Sequence, residues 1–461
     1  AYWPQFTGLR DRLTGYQQHV ERQLATFGAE IVSAGLVDTA PAAQAAGDMF
    51  QQANVDLVVC YVGTYATSSQ VLPAVQRPRV PVLVLNLQPT AALDYEQTDT
   101  GEWLANCCAC CVPEISCAFA RAGIPFNVVS GMLYDDQRAW NSIGDWVIAA
   151  GVQRSLAYAR VGFLGHTYPG MLDMYSDFTM VHAQTSTHVE VLEIDDLQAR
   201  VDAVTEGELS AKQDEIRSVF DIAEPGSDPI AKPVTDEAFA WSARVACGLD
   251  RLVDDFALDG LTYYYRGVGG NANEQLGAGL IVGNSLLTAR GIPASGEGDL
   301  KTCLAMLMMD RLEAGGSYTE FYAMDFNDDF ILMGHDGPGH IAISDRRPTL
   351  RGLGLYHGKR GYGISVEFSV ATGPITILGV TQTADGRLKL IASEGEAIPG
   401  PTLRIGNTNS RLKFALGPAE FMDRWCDEGP THHVALGVGH QVSRIRKLAR
   451  LTGLELVVLG A

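Results

Sequence analysis

Val55-Asp56-Leu57-Val58-Val59-Cys60-Tyr61-Val62 is a run of β-branched and apolar side chains interrupted by a single charge. A run this short, without helical spacing, reads as a strand covered on both faces. Two more follow, one over residues 80–87 and one at Phe126-Asn127-Val128-Val129-Ser130-Gly131. Upstream, residues 9–27 carry helical apolar spacing, and Glu30-Ile31-Val32-Ser33-Ala34 reads as a short strand. A helix over 41–53 follows Asp38-Thr39, side chains suited to its N-terminus. Short buried strands separated by helices predict a parallel sheet with right-handed crossovers.

The pattern restarts at Arg160-Val161-Gly162-Phe163-Leu164-Gly165, after a long helix over 136–158. Strands are expected at 189–194 and 261–265, and helices at 208–220 and 236–254. Glu224-Pro225-Gly226-Ser227-Asp228-Pro229 is a loop by composition. After Asp310, short alternating segments take over, at 330–333, 364–370, 376–382 and 388–392. Turn signals such as Ala384-Asp385-Gly386 separate them. A helix over 442–451 and a strand over 454–459 close the chain. The expected fold is two doubly wound α/β domains, at 1–158 and 159–314, followed by a mainly antiparallel β domain at 315–461.

At 461 residues the chain is too long for one hydrophobic core. Its formal net charge of -20 argues against nucleic acid and anionic membrane surfaces as partners, since both recruit Lys and Arg. No apolar run reaches membrane-spanning length. Ala1-Tyr2-Trp3-Pro4-Gln5 shows no basic region leading into an apolar stretch, so no signal peptide is expected. Five of the nine cysteines lie between Cys107 and Cys117. No second cysteine pair follows at zinc-ribbon spacing, and the segment reads as a packed Ala-rich helix with small apolar side chains. Adjacent thiols and an odd total fit a reducing compartment, hence the cytoplasm.

Four places in the last third carry chemistry. Glu297 sits between glycines in Gly296-Glu297-Gly298-Asp299, where the backbone can turn a carboxylate into a cleft; on local sequence alone a helix-capping carboxylate explains it better. Glu320 and His335 flank a segment that ends as a strand. His335 opens Gly334-His335-Asp336-Gly337-Pro338-Gly339-His340, in which His340 suits loop packing. Thr431-His432-His433 precedes an apolar stretch, and a His pair at a strand start sends one ring to each face. Two carboxylates and two imidazoles suit Mn²⁺, Mg²⁺ or Co²⁺ better than a structural zinc. No dinucleotide fingerprint, P-loop or serine nucleophile elbow is present.

These segments resemble the L-arabinose isomerase family, which shares its architecture with L-fucose isomerase. Gly296-Glu297-Gly298-Asp299-Leu300-Lys301-Thr302 is similar to that family's Gly-Glu-Gly-Asp-Trp-Lys-Thr. Glu320, His335 and Thr431-His432-His433 stand at its second metal-binding Glu, its first metal-binding His and its Ala-His-His-Thr. The resemblance implies a metal set of Glu297, Glu320, His335 and His433, with Glu297 and Glu320 as acid/base residues and His432 close to substrate. It implies aldose–ketose isomerisation of a free sugar with Mn²⁺ (or Mg²⁺ or Co²⁺), in a trimer, tetramer or hexamer whose sites lie at subunit interfaces. An L-fucose or D-arabinose type of isomerase and a non-catalytic sugar-binding relative are the alternatives.

The sugar end departs from the family pattern. Tyr2-Trp3-Pro4-Gln5-Phe6 replaces Gly-Ser-Gln-His-Leu-Tyr-Gly, with Gln5 standing for its Gln. Val129-Ser130-Gly131-Met132-Leu133 replaces Thr-Gly-His-Trp, so Met132 stands where a substrate-contacting His is lost. Asp336 replaces a Met. With Tyr265 and His432, these residues are the expected substrate side, and the sugar is another pentose, a hexose, a deoxysugar or a tetrose as readily as L-arabinose.

Overall fold

The computed structural model describes residues 5–224, 226, 232–265, 271–353, 355–356, 359–360 and 363–460. They gather into two compact units, Ala1–Arg154 and Ser155–Ala461. The first begins with helices α1 (Leu9–Ala25) and α2 (Ala40–Gln52), continues through β1 (Val58–Tyr61), α3 (Leu72–Gln76), β2 (Val82–Gln88), α4 (Thr100–Ala105), α5 (Val112–Arg121) and β3 (Phe126–Met132), and ends in α6 (Gln137–Tyr158). Its sheet is parallel throughout, in the order β1-β2-β3. Thr39 caps α2, its hydroxyl accepting from the Ala42 N–H at 3.3 Å. Val58, Val82 and Val84 from the sheet and Ile115 and Phe119 from α5 form this unit's core.

Two expectations fail in this unit. Residues 30–34 pair with no strand among the described residues, and Ile31 is 36% exposed. Adjacent Ile31 and Val32 point to opposite sides of an extended chain, so neither side of the run offers a sheet more than one large apolar side chain. The cysteines at 107–111 are not helical but form the turn between α4 and α5. Four cysteines around one alanine have little helix propensity, and one core takes Cys108 and Cys111 while Cys110 stays exposed.

The second unit opens with β4 (Arg160–Gly165), α7 (Phe178–Thr185), β5 (His188–Leu192), α8 (Ile194–Asp202), α9 (Glu206–Val219), β6 (Asp221–Ile222), α10 (Asp236–Phe256) and β7 (Gly260–Tyr264). Then come α11 (Ala272–Gly277), α12 (Leu280–Ala289), β8 (Ala294–Ser295) and α13 (Leu300–Arg311). A parallel sheet runs β5-β4-β7-β8, so strand order reverses beside β4. That reversal marks double winding. Of the loop expected at 224–229, residues 225 and 227–229 lie outside the described residues.

The antiparallel part comprises β9 (Gly315–Asp325), β10 (Phe330–His335), β11 (Thr349–Gly352), β12 (Leu355–Tyr356), β13 (Lys359–Arg360), β14 (Ile364–Glu367), β15 (Gly373–Gln382), β16 (Leu388–Ile398) and β17 (Thr408–Phe414). It ends with α14 (Pro418–Asp427), β18 (His433–Val438), α15 (Val442–Thr452) and β19 (Glu455–Leu459). The order β15-β18-β9-β10-β17-β16 closes on itself through β15–β16 pairing, giving a barrel without an open edge. Strand β19 adds to β16 in parallel.

Helix α13 joins the two sheets. Every residue from Leu300 to Met309 is buried. It packs on β7 and β8 of the parallel sheet and on β9, β15 and β18 of the barrel. A helix apolar nearly all round belongs inside, between layers. The expected division at residue 314 falls just after α13, where the parallel sheet gives way to the barrel, inside the second unit. No described helix is long and apolar enough to cross a membrane.

Candidate metal centre

Glu297 lies in the turn from β8 into α13. Its φ is 64°, left-handed backbone that costs a non-glycine residue about 1–3 kcal/mol. The turn is pinned on both sides. The Glu297 carbonyl accepts from the Tyr168 N–H at 2.9 Å, and the Gly298 N–H donates to the Tyr263 carbonyl at 2.9 Å. Gly298 has φ 71°, and a Cβ there would lie 2.5 Å from the His166 carbonyl oxygen, so glycine is required. Glu297 itself is buried, with 7% exposure. Asp299, not Glu297, caps α13: it accepts from the Thr302 N–H at 3.0 Å and the Thr302 hydroxyl at 2.7 Å. The capping role that competed for Glu297 is therefore already filled, and its buried carboxylate is held in a strained turn instead.

The barrel supplies the opposite wall. His433 opens β18 directly across from Glu320 on β9, and Gly334 on β10 is Glu320's other neighbour. Directly opposed residues in an antiparallel pair share a face, so Glu320 and His433 leave the sheet on the same side. The His433 ring is fully buried. Its Nδ1 lies 3.0 Å from Asp299 Oδ2, and Tyr318 Oη sits 2.7 Å from Nδ1 and 3.1 Å from Nε2. Asp299 is a partner of Nδ1 alone, so Nδ1 carries the proton and the Nε2 lone pair, which faces the Tyr318 hydroxyl, is the one a cation would take, as in a carboxylate–histidine–metal relay.

Burial pushes the Asp299 carboxyl up, but the bond to His433, the charges of His433 and Lys301 and the Thr302 N–H together hold it below its ordinary value. Burial lowers His433 and favours the neutral, ligating ring. Burial, and then the carboxylates of Asp299, Glu297 and Glu320, push the Tyr318 hydroxyl well above its ordinary range, so it stays protonated. It donates to the Gly296 carbonyl at 3.3 Å.

His432 is held from the parallel sheet's side. Asp173 Oδ2 accepts from its backbone N–H at 3.0 Å and from Nδ1 at 2.6 Å, again directing Nε2 outward. Burial alone would raise Asp173, but these bonds bring it down to about 2. One donor atom each from Glu297, His432 and His433 lies within 4.8 Å of the others. The ring centroid of His335 is 5.1 Å from that of His433 and 4.4 Å from that of Tyr318. His335 Nδ1 accepts from the Gly337 N–H at 2.8 Å, so the neutral ring carries its proton on Nε2. It meets a cation through Nε2 only if that proton moves.

The structure thus gathers Glu297, His432 and His433 most tightly, with Glu320 one strand across and His335 beside them. Asp336 Oδ1 is 3.6 Å from His335 Nδ1. Tyr265 follows β7 and fills the space over Gly277, where a Cβ would run into its ring. Gln5 and Met132 belong to the first compact unit. Gln5 is exposed ahead of α1, and Met132 ends β3 with its N–H bonded to Asp136 at 3.0 Å. His340 is a buried loop histidine whose N–H donates to Ser317 Oγ at 3.1 Å.

Sequence reasoning missed Asp173, Asp299 and Tyr318. Asp299 had a local signal, an Asp three residues ahead of Thr302 at a helix start. Asp173 had none, because it meets His432 only through the tertiary fold. One buried carboxylate and two imidazoles with converging donors, two rings already set in the ligating tautomer, are a set that could hold a metal ion.

Residues 315–455 match the family model for the L-arabinose isomerase C-terminal domain. A protein described as L-arabinose isomerase from Nocardioides sp. is 25% identical over 88% of this chain and 80% of its own length. One described as L-arabinose isomerase 1 from Bacillus licheniformis is 23% identical over 89% and 83%. An L-arabinose isomerase from Klebsiella pneumoniae is 24% identical over 87% and 80%.

Proposed function

We propose that this chain, which belongs to the L-arabinose isomerase family, interconverts a free aldose and its ketose with a divalent cation, Mn²⁺ foremost, held by Glu297, Glu320, His335 and His433. The observation that carries the reading is the convergence of Glu297, His432 and His433 within 4.8 Å, on a turn and a strand start fixed independently by Asp173 and Asp299. When bound, the cation would polarise adjacent substrate oxygens and stabilise negative charge developing on them.

The chain's own groups do the rest. Glu297 and Glu320 are the candidates to take the proton from substrate C2 and return it at C1, because carboxylates beside a cation and substrate can be tuned for proton transfer. Asp299 and Tyr318 hold the His433 ring in one orientation. Asp173 does the same for His432, whose imidazole faces the substrate side. His335 joins the set once its ring turns and releases the Gly337 N–H. With the site goes a homo-oligomeric enzyme, as the family resemblance implies, and its adjacent thiols fit the cytoplasm.

The test is a panel of aldopentoses, aldohexoses, deoxyaldoses and a tetrose, incubated with metal-stripped protein and added Mn²⁺, with ketose formation followed by chromatography. Conversion of at least one sugar supports the reading. Tight sugar binding without conversion of any would favour a non-catalytic binder, an alternative that the buried Glu297 carboxylate argues against.

A further inference from the structure

Four cysteines lie in the connection from α4 to α5 and a fifth, Cys117, within α5, and nothing in the proposed isomerase chemistry uses them. Cys107, Cys108 and Cys111 are buried and Cys110 is exposed. The turn faces each thiol differently. Cys108 packs into the core with Val58, Val82 and Ile115. Cys111 joins the same core, and its sulfur accepts from the Ala66 N–H at 3.1 Å. Cys107 and Cys110 turn toward each other, with their Sγ atoms 2.7 Å apart; Cys110 and Cys111 are 3.4 Å apart. The closest pair has Cys-x-x-Cys spacing, one member open to solvent and the other behind it.

We propose that Cys107 and Cys110 form a reversible dithiol–disulfide site that exchanges with low-molecular-weight disulfides of the glutathione class. The Cys110 thiol loses its proton to solvent, and its thiolate attacks one sulfur of the small disulfide. A mixed disulfide forms on Cys110 and one small thiolate leaves. The Cys107 thiol, deprotonated in turn, attacks the Cys110 sulfur. The Cys107–Cys110 bond forms, and the second small thiolate leaves. Two protein thiols are oxidised, one small disulfide is reduced to two thiols, and the two protons end on them. The second step is intramolecular at near-contact distance, so it outruns dissociation or a second external attack. Cys111 is the weaker partner because its sulfur is farther off and engaged by the Ala66 N–H.

The test uses the full-length protein incubated with glutathione disulfide. Remaining thiols are alkylated, and the protein is digested and mapped by mass spectrometry. Exposed Cys117 and Cys426 serve as internal controls, because each is expected to take a glutathione adduct without closing a bond. The expected result is a Cys107–Cys110 link with no retained glutathione there, reversed by dithiothreitol. In Cys107→Ser the adduct on Cys110 should persist. Adducts on Cys117 and Cys426 with Cys107 and Cys110 both still alkylated would overturn the proposal. So would a stable adduct on Cys110 in the unsubstituted protein, or a link from Cys110 to Cys111.

Discussion

Glu297 occupies backbone that glycine would adopt more easily, and it does so with a buried carboxylate. Both features cost stability unless the side chain is used. Glu297→Gly should therefore leave the metal-free protein as stable as the parent or more so by about 1 kcal/mol, the range expected when left-handed strain is relieved. It should also abolish the Mn²⁺-induced stabilisation. Urea unfolding with and without Mn²⁺ checks both halves, and a metal-free variant clearly less stable than the parent would count against strain at this turn.

The imidazoles separate in the same way. Among the proposed ligands, His433 is already held in place by Asp299, whereas His335 must give up the Gly337 N–H bond. His433→Ala should weaken Mn²⁺ binding more than His335→Ala does, by calorimetric titration. Asp173→Ala, which frees His432 on the substrate side, should raise the KM for the sugar and leave Mn²⁺ affinity unchanged. A loss of Mn²⁺ affinity of about 10–100-fold, the usual effect of losing a ligand's orienting partner, would instead make His432 a metal ligand.

At the scale of elements, α13 decides whether the site exists, because its N-terminal turn carries Glu297, Gly298 and Asp299. Gly298→Ala would demand both left-handed backbone and space already taken by the His166 carbonyl. It should destabilise the protein by about 2 kcal/mol or more in denaturant titrations, beyond the cost of lost backbone freedom alone.

This element also shows what the chain's pattern makes legible. The strands at β1, β2 and β4 and the alternating strands of the barrel follow from β-branched runs and period-2 alternation, which act locally. The residues at 30–34 misled because apolar character without a partner does not make a strand. The cysteine turn misled because short-range periodicity cannot tell that Cys108 and Cys111 face a core while Cys110 does not. Glu297 and His433 could be picked out, but Asp173 and Tyr318 could not. Their roles exist only where β9, β18 and the segment after β4 meet.

For the whole molecule, a parallel sheet and a closed barrel meet along α13, and the converging donors lie where that helix begins. A cation seated there ties the turn after β8 to β18 and should stabilise the entire second unit. At a concentration near 100 times its dissociation constant, Mn²⁺ should add about 2.7 kcal/mol of stability. Chelator should reverse the shift, as read from the melting temperature. The oligomeric state belongs to this scale too, and sedimentation velocity with and without Mn²⁺ should show an assembly larger than one chain.

The most direct measurement is ketose formation by the metal-stripped protein from a panel of aldoses, before and after Mn²⁺ is added, with Glu297→Gln run beside it. The expected result is conversion of at least one aldose that requires the cation, is lost on chelation and falls by orders of magnitude in Glu297→Gln. Conversion that proceeds unchanged after chelation, or at the parent rate in Glu297→Gln, would contradict a metal-dependent isomerase centred on this turn.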